Sequence, residues 1–230
     1  MKESARRPLS LARAVLLFAG LFLVVGSLSW RHWRAERHLE IDASFGLLGL
    51  VTEPAAHIGQ DAVLATTAGE VLLLRGGSQQ PEVLRVLRGL APGAPIALPD
   101  SFLLATQEGS VYRLGYNEGK VLWVSQLAEN ITGDLAITEK ALFVLSEMRL
   151  LALSPGSGDL LAETRLPDAA TCGPVLWQGR VLVGCERIGL VAYDPGTLQP
   201  VLSAPVAAGS VGQLAVLGDT AFVTDSDGAL

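Results

Sequence analysis

The sequence predicts an all-β fold in which short four-stranded repeats are arrayed around an axis. Three observations predict it. Ala62-Val63-Leu64-Ala65-Thr66, Phe102-Leu103-Leu104-Ala105-Thr106, Leu142-Phe143-Val144-Leu145-Ser146 and Leu182-Val183-Gly184-Cys185-Glu186 align without gaps, and a fifth copy starts at Phe222. Gly69, Gly109 and Gly189 recur at one phase, where the third copy has Arg149. The linkers between apolar runs are too short to hold the helices of a parallel α/β fold. A period of ~40 residues built from short apolar runs and turns is the signature of a β-propeller. Four full repeats and a partial fifth are expected.

Ahead of the repeats the chain divides into three pieces: a short basic N-terminus over 1–13, an apolar span over 14–30 and a linker over 31–43. Residues 14–30 carry no charge, and basic residues flank them on both sides, with Trp30 and Trp33 at the level of an interfacial aromatic belt. Seventeen residues is short for a spanning helix, and Leu9 to Ala12 extend it if Arg13 snorkels. The span reads as an uncleaved signal anchor. The alternative is a cleaved signal peptide ending near Ser27-Leu28-Ser29, which the early positive charges Arg31, Arg34 and Arg37 oppose. The basic excess before the span points to a cytoplasmic N-terminus, an inner-membrane location and a propeller outside the cytoplasm.

The repeats occupy 44–230. In the second, strands are expected at 95–98, 102–106, 111–114 and 120–125, with turns at Pro99-Asp100, Glu108-Gly109 and Asn117-Glu118-Gly119. The third unit has them near 135–138, 142–146, 149–153 and 159–164, and the fourth near 174–178, 181–185, 189–193 and 199–203. The first runs from about Ala55, with strands at 62–66, 70–74 and 83–87. Runs such as Val71-Leu72-Leu73-Leu74 do not alternate. Blades buried on both faces produce that pattern. The fifth unit stops after two strands. The chain is therefore expected to be incomplete at its C-terminus or completed by another chain, because open blades expose unpaired edges. Alternatively, residues 44–51 supply a closing outer strand to a four-bladed ring.

The passages between third and fourth strands carry a family resemblance. Ala192-Tyr193-Asp194-Pro195-Gly196-Thr197 and Ala152-Leu153-Ser154-Pro155-Gly156-Ser157-Gly158 resemble the A-x-D-x-x-T-G turn of quinoprotein-type (PQQ-like) propeller repeats. Gly119-Lys120-Val121-Leu122-Trp123 resembles the G-K-x-x-W that follows it, which implies that Trp123 docks between blades. Ser226-Asp227-Gly228-Ala229-Leu230 resembles the turn before the third strand. Leu198 and Arg149 stand where the family pattern has turn glycines, and only one docking Trp is in place. Among members of the family, the chain is distantly similar to the periplasmic propeller scaffold of the outer-membrane β-barrel assembly machinery. That scaffold is a lipoprotein, whereas no Cys lies near this N-terminal span.

Chemistry is sparse. The two cysteines, Cys172 and Cys185, fall opposite each other if a two-residue turn sits at Gln178-Gly179, on a non-hydrogen-bonded pair where Cα atoms come within ~4.5 Å. A structural disulfide is expected there, with two buried free thiols as the alternative. Metal binding is not expected, since C-x12-C stands alone and His32, His38 and His57 are remote in sequence. Quinone-dependent dehydrogenases of the resembled fold use adjacent cysteines, a calcium set and an Asp base; no adjacent pair exists here, and Asn occurs only at 117 and 130. Asp225-Ser226-Asp227-Gly228 reads as a hairpin turn and not as a calcium loop. No cofactor and no small-molecule ligand is identifiable. Residues 38–230 hold ten basic against 21 acidic residues, a net of −11, which excludes nucleic acid as a partner. The expected function is a non-enzymatic, membrane-anchored scaffold that binds protein partners in the bacterial envelope, in membrane or outer-membrane protein assembly. The alternative is an N-terminal fragment of a membrane-bound quinoprotein dehydrogenase.

Overall fold

The computed structural model describes residues 47, 50–51, 54–78, 80–89, 93–206 and 211–225. The expected membrane span and its flanks lie outside them. Among the described residues no helix is long and apolar enough to cross a membrane. The first blade comprises β1 (Ala56–Ile58), β2 (Asp61–Ala65), β3 (Glu70–Leu74) and β4 (Glu82–Val86). The second comprises β5 (Ile96–Ala97), β6 (Ser101–Ala105), β7 (Ser110–Gly115) and β8 (Val121–Gln126). The third has β9 (Ala136–Ile137), β10 (Leu142–Leu145), β11 (Arg149–Leu153) and β12 (Leu160–Arg165). The fourth has β13 (Ala170–Trp177), β14 (Arg180–Cys185), β15 (Gly189–Tyr193) and β16 (Pro200–Ala204). A two-stranded hairpin, β17 (Val211–Leu217) and β18 (Thr220–Asp225), follows. Every four-stranded sheet pairs its strands in chain order, antiparallel throughout.

Continuous apolar runs follow from a core on each side of a blade. In β6, Phe102 and Leu104 pack with Val63, Val71 and Leu73 of the first blade, while Leu103 and Ala105 pack with Leu142 and Val144 of the third. In β10 the same division recurs: Phe143 and Leu145 turn the other way, to Val181, Val183 and Cys185 of the fourth blade. Neighbouring residues thus belong to different cores, and no polar phase is left in the middle strands. Outer strands lack this double cover, so β8 and β12 alternate between half-buried and exposed residues.

Buried hydroxyls close the turn between second and third strands. Thr66 Oγ1 accepts from the Glu70 N–H, Thr106 Oγ1 from Ser110 and Ser146 Oγ from Arg149. Gly69, Gly109 and Gly189 take φ near +90° in these turns (84°, 90° and 90°). In the third blade the Ser146 N–H reaches the Arg149 carbonyl, three residues on, where Thr66 reaches Glu70, four residues on. The turn is tighter by one residue and needs no left-handed position, which is why an arginine stands at the glycine phase. The gapless period of forty consequently slips: the turn at Gln178-Gly179 opens one residue early relative to Glu139-Lys140. Val181, not Leu182, takes the place of Leu142 in the core facing the preceding blade.

Of the expected closing strand over 44–51, only Leu47, Leu50 and Val51 are described. Leu50 pairs with the first blade's own turn: its carbonyl accepts from Thr67 N–H and its N–H donates to Thr67 Oγ1, both at 2.9 Å. The Ala169 carbonyl accepts from the Glu186 N–H at the turn of the fourth blade in an equivalent way. Leu50 therefore occupies the place of a linker entering a blade.

Candidate functional site

The blade seams are built by turns that receive the outer strand of the blade before. Trp123, third residue of β8, donates from Nε1 to the Pro155 carbonyl at 3.1 Å. Arg113 Nη1 donates to the same oxygen at 3.1 Å, while its other nitrogens reach Ser101 and Asp100. The Trp123 ring lies on Gly158: a Cβ there would stand 2.6 Å from Cε3. Gly158 has φ +78°, and its N–H closes the turn on the Ser154 carbonyl. One blade later the sizes are exchanged. Leu198, at φ +54°, occupies the turn position and is buried, and Ala162, third residue of β12, packs against the core that contains it. At the first seam Leu84 of β4 meets Gly119, whose carbonyl also accepts from Arg85 Nη1. Bulk on one side is matched by its lack on the other. Reading Leu198 only as a lost turn glycine misses this exchange.

Arg149 is held between two carboxylates, Glu129 at 3.0 Å and Glu163 at 3.1 Å. With Ser125, Gln126 and Leu127 they line a groove between the second and third blades. In the fourth blade, buried Asp168 accepts from the Arg187 N–H at 2.8 Å and from its guanidinium at 3.0 Å. The Arg187 side chain, then its backbone N–H, hold the Asp168 pKa down to about 2.

The cysteines depart from the expected register. The hairpin turn sits where the sequence places it, with Trp177 opposite Arg180. Two register shifts follow, so Cys172 pairs with Gly184 and Cys185 with Ala170. The cause is local. Gly173 takes φ +94° and turns its carbonyl to the Asp134 N–H of the third blade, at 3.2 Å. Cys172 Sγ lies over the Cα of Gly184, on the side of Val211 in the fifth unit, whereas Cys185 belongs to the core shared with the third blade. The sulfurs therefore serve opposite faces of one sheet, and both thiols are free. Burial, with smaller contributions from Asp168 and Cys172, pushes the Cys185 thiol up to about 11.

The inner strands and the outer rim also present open surface among the described residues. The inner strands leave an axial funnel of about 660 Å³, lined by Ile96, Asp134, Ile137, Pro174, Val175 and Gln213 among others. On the rim, the second residue of each of the four outer strands is aliphatic, Val83, Leu122, Leu161 and Val201, and each is between 48% and 55% exposed. Neither surface carries a nucleophile–base pair, and among the described residues no group of His, Cys, Asp or Glu is placed to hold a metal ion.

Comparison with known proteins agrees with this architecture. The crystal structure of BamB from Moraxella catarrhalis superposes with a TM-score of 0.64 at 15% identity, covering 82% of this chain and 62% of that one. The computationally designed Ika8 protein gives 0.67 at 17% identity, over 80% of this chain and 57% of that one. The chain thus spans less than two thirds of either structure, and likeness at this identity shows the propeller fold alone. No curated protein sequence matches. The repeat-family model described as outer membrane protein assembly factor BamB matches residues 107–230, more than half of the chain. With PQQ-like repeats in sequence, propeller blades in structure and that match between them, the chain belongs to the family of outer membrane protein assembly factor BamB.

Proposed function

We propose that the chain is a non-enzymatic propeller scaffold, anchored to the inner membrane by residues 14–30, that holds a protein partner outside the cytoplasm during outer-membrane protein assembly. The family match over 107–230 carries this reading. The uncharged span with basic flanks supports the anchor. Cross-linking in intact envelopes, followed by purification of the full chain, tests it. A partner engaged in outer-membrane protein assembly is expected to co-purify, and the chain is expected to stay with the membrane through alkaline extraction. Purification of the chain alone, or dye reduction dependent on added pyrroloquinoline quinone, would overturn the proposal.

A further inference from the structure

We propose that the axial funnel seats a basic side chain, a lysine or arginine presented by a protein partner. The volume of about 660 Å³ lies in the usual range of binding pockets, roughly 300–1,000 Å³. Its walls are aliphatic: Ile96, Ile137, Val175 and Leu176 suit a methylene stem. Pro54, Pro95 and Pro174 line it too, and proline has no N–H, so this stretch of inner edge offers acceptors in place of donors. Lysine and arginine heads are donors only. Among the described residues, no Lys, Arg or His lines the funnel, and its one carboxylate is Asp134.

Asp134 is held from both sides. Its Oδ1 accepts from the Ala94 N–H of the second blade at 3.2 Å, and its own N–H donates to Gly173 of the fourth at 3.2 Å. Gly93 allows this close approach, since a Cβ there would stand 2.6 Å from Oδ1. The carboxylate nevertheless remains exposed at the mouth. Ala94 and Asp134 precede the inner strands β5 and β9, so the Asp134 end of the funnel lies on the face that carries the turns between second and third strands. Glu108, Glu147 and Glu186 sit at those turns, and the two cations there are already paired, Arg149 with Glu129 and Glu163 and Arg187 with Asp168, which leaves that face acidic. Negative potential around an apolar mouth steers and retains a cation.

The inference rests on the scaffold reading, because a protein partner must present the side chain, but it is tested without that partner. N-acetyl-arginine amide is titrated into the full 230-residue chain, and the backbone amide shifts of Ala94 and Asp134 are followed by NMR. A saturable shift confined to the funnel is expected. N-acetyl-norleucine amide should bind at least fivefold more weakly, and N-acetyl-glutamate amide more weakly still. Asp134→Asn, which keeps an acceptor for Ala94, should reduce arginine binding to the norleucine level. Glu139→Gln, on the opposite face, should leave it unchanged. Equal binding of all three amides, an unaffected Asp134→Asn variant, or shifts that never saturate would overturn the inference. Each of those outcomes would leave co-purification of a partner intact.

Discussion

If the seam between the second and third blades is a matched pair, then exchanging the sizes of its members should restore what each single change removes. Trp123→Ala deletes a half-buried indole and its hydrogen bond to Pro155. Large-to-small changes of this kind cost ~3–5 kcal/mol when the site is fully buried, so about 3 kcal/mol applies here. Gly158→Leu drives a side chain into the ring, which a bare Cβ already meets at 2.6 Å, and adds the strain of a left-handed backbone at φ +78°. Overpacking costs ~1–3 kcal/mol and the left-handed backbone ~1–2 kcal/mol, so a loss of about 3 kcal/mol is expected again. The double variant reproduces the arrangement that Ala162 and Leu198 adopt one blade later. It keeps the backbone strain but removes the clash and refills the void. A favourable coupling of about 1–3 kcal/mol is therefore expected. Each single variant should lower the thermal midpoint of the full chain by roughly 6–12 °C, and the double variant by less than their sum, at ~2–4 °C per kcal/mol for a chain of this size. Thermal unfolding followed by circular dichroism reads the cycle. Additive losses would show that the seam is not closed by size complementarity.

Four further outcomes follow from the same geometry. Thiol titration without reductant should count two free cysteines after unfolding, with Cys185 unreactive near pH 8 in the folded chain; a species lighter by two hydrogens, carrying a Cys172–Cys185 bridge, would refute the observed register. The folded pKa of Asp168 lies below the ordinary carboxylate value of ~3.9, so its ion pair stabilises the chain above that pH and is lost as pH falls toward 2. Asp168→Asn should flatten stability against pH across this window, and an unchanged slope in acid titrations by denaturant would dismiss the pair. Gly109→Ala should cost about 2–4 kcal/mol, because its Cβ would stand 2.6 Å from the Glu129 carbonyl at φ +90°. Arg149→Ala, at the matching position of the next blade, removes only exposed ion pairs and should cost under ~1 kcal/mol in denaturant unfolding.

Most of the blade architecture was legible because hairpins are local. The strands of the second and third blades lie within a residue or two of the positions that turn residues alone predict, and the turn at Gln178-Gly179 falls where expected. What could not be read depended on a neighbour. The register of Cys172 is decided by a carbonyl that Gly173 gives to Asp134, some forty residues back. The packing role of Leu198 is decided by Ala162 in the preceding blade. The funnel carboxylate had no sequence signal, because Asp134 is set at the mouth by backbone contacts from two other blades. A signal was present for the slip of one residue: Arg149 at a glycine phase meant a turn of another length, not a strained arginine.

Degeneracy in these repeats is thus of two kinds. One is compensated drift, in which a change on one blade is answered on the next, as with Trp123 and Gly158 against Ala162 and Leu198. Such positions maintain the seam and say nothing about a partner. The other kind has no answering change. Asp134 has no acidic counterpart at the matching positions, Ala94 in the second blade and, after the slip of one residue, Gly173 in the fourth. A repeat scaffold gains selectivity only where its symmetry is broken and left uncompensated. By that criterion the funnel mouth at Asp134 distinguishes this propeller from a generic ring of blades, and the seams do not.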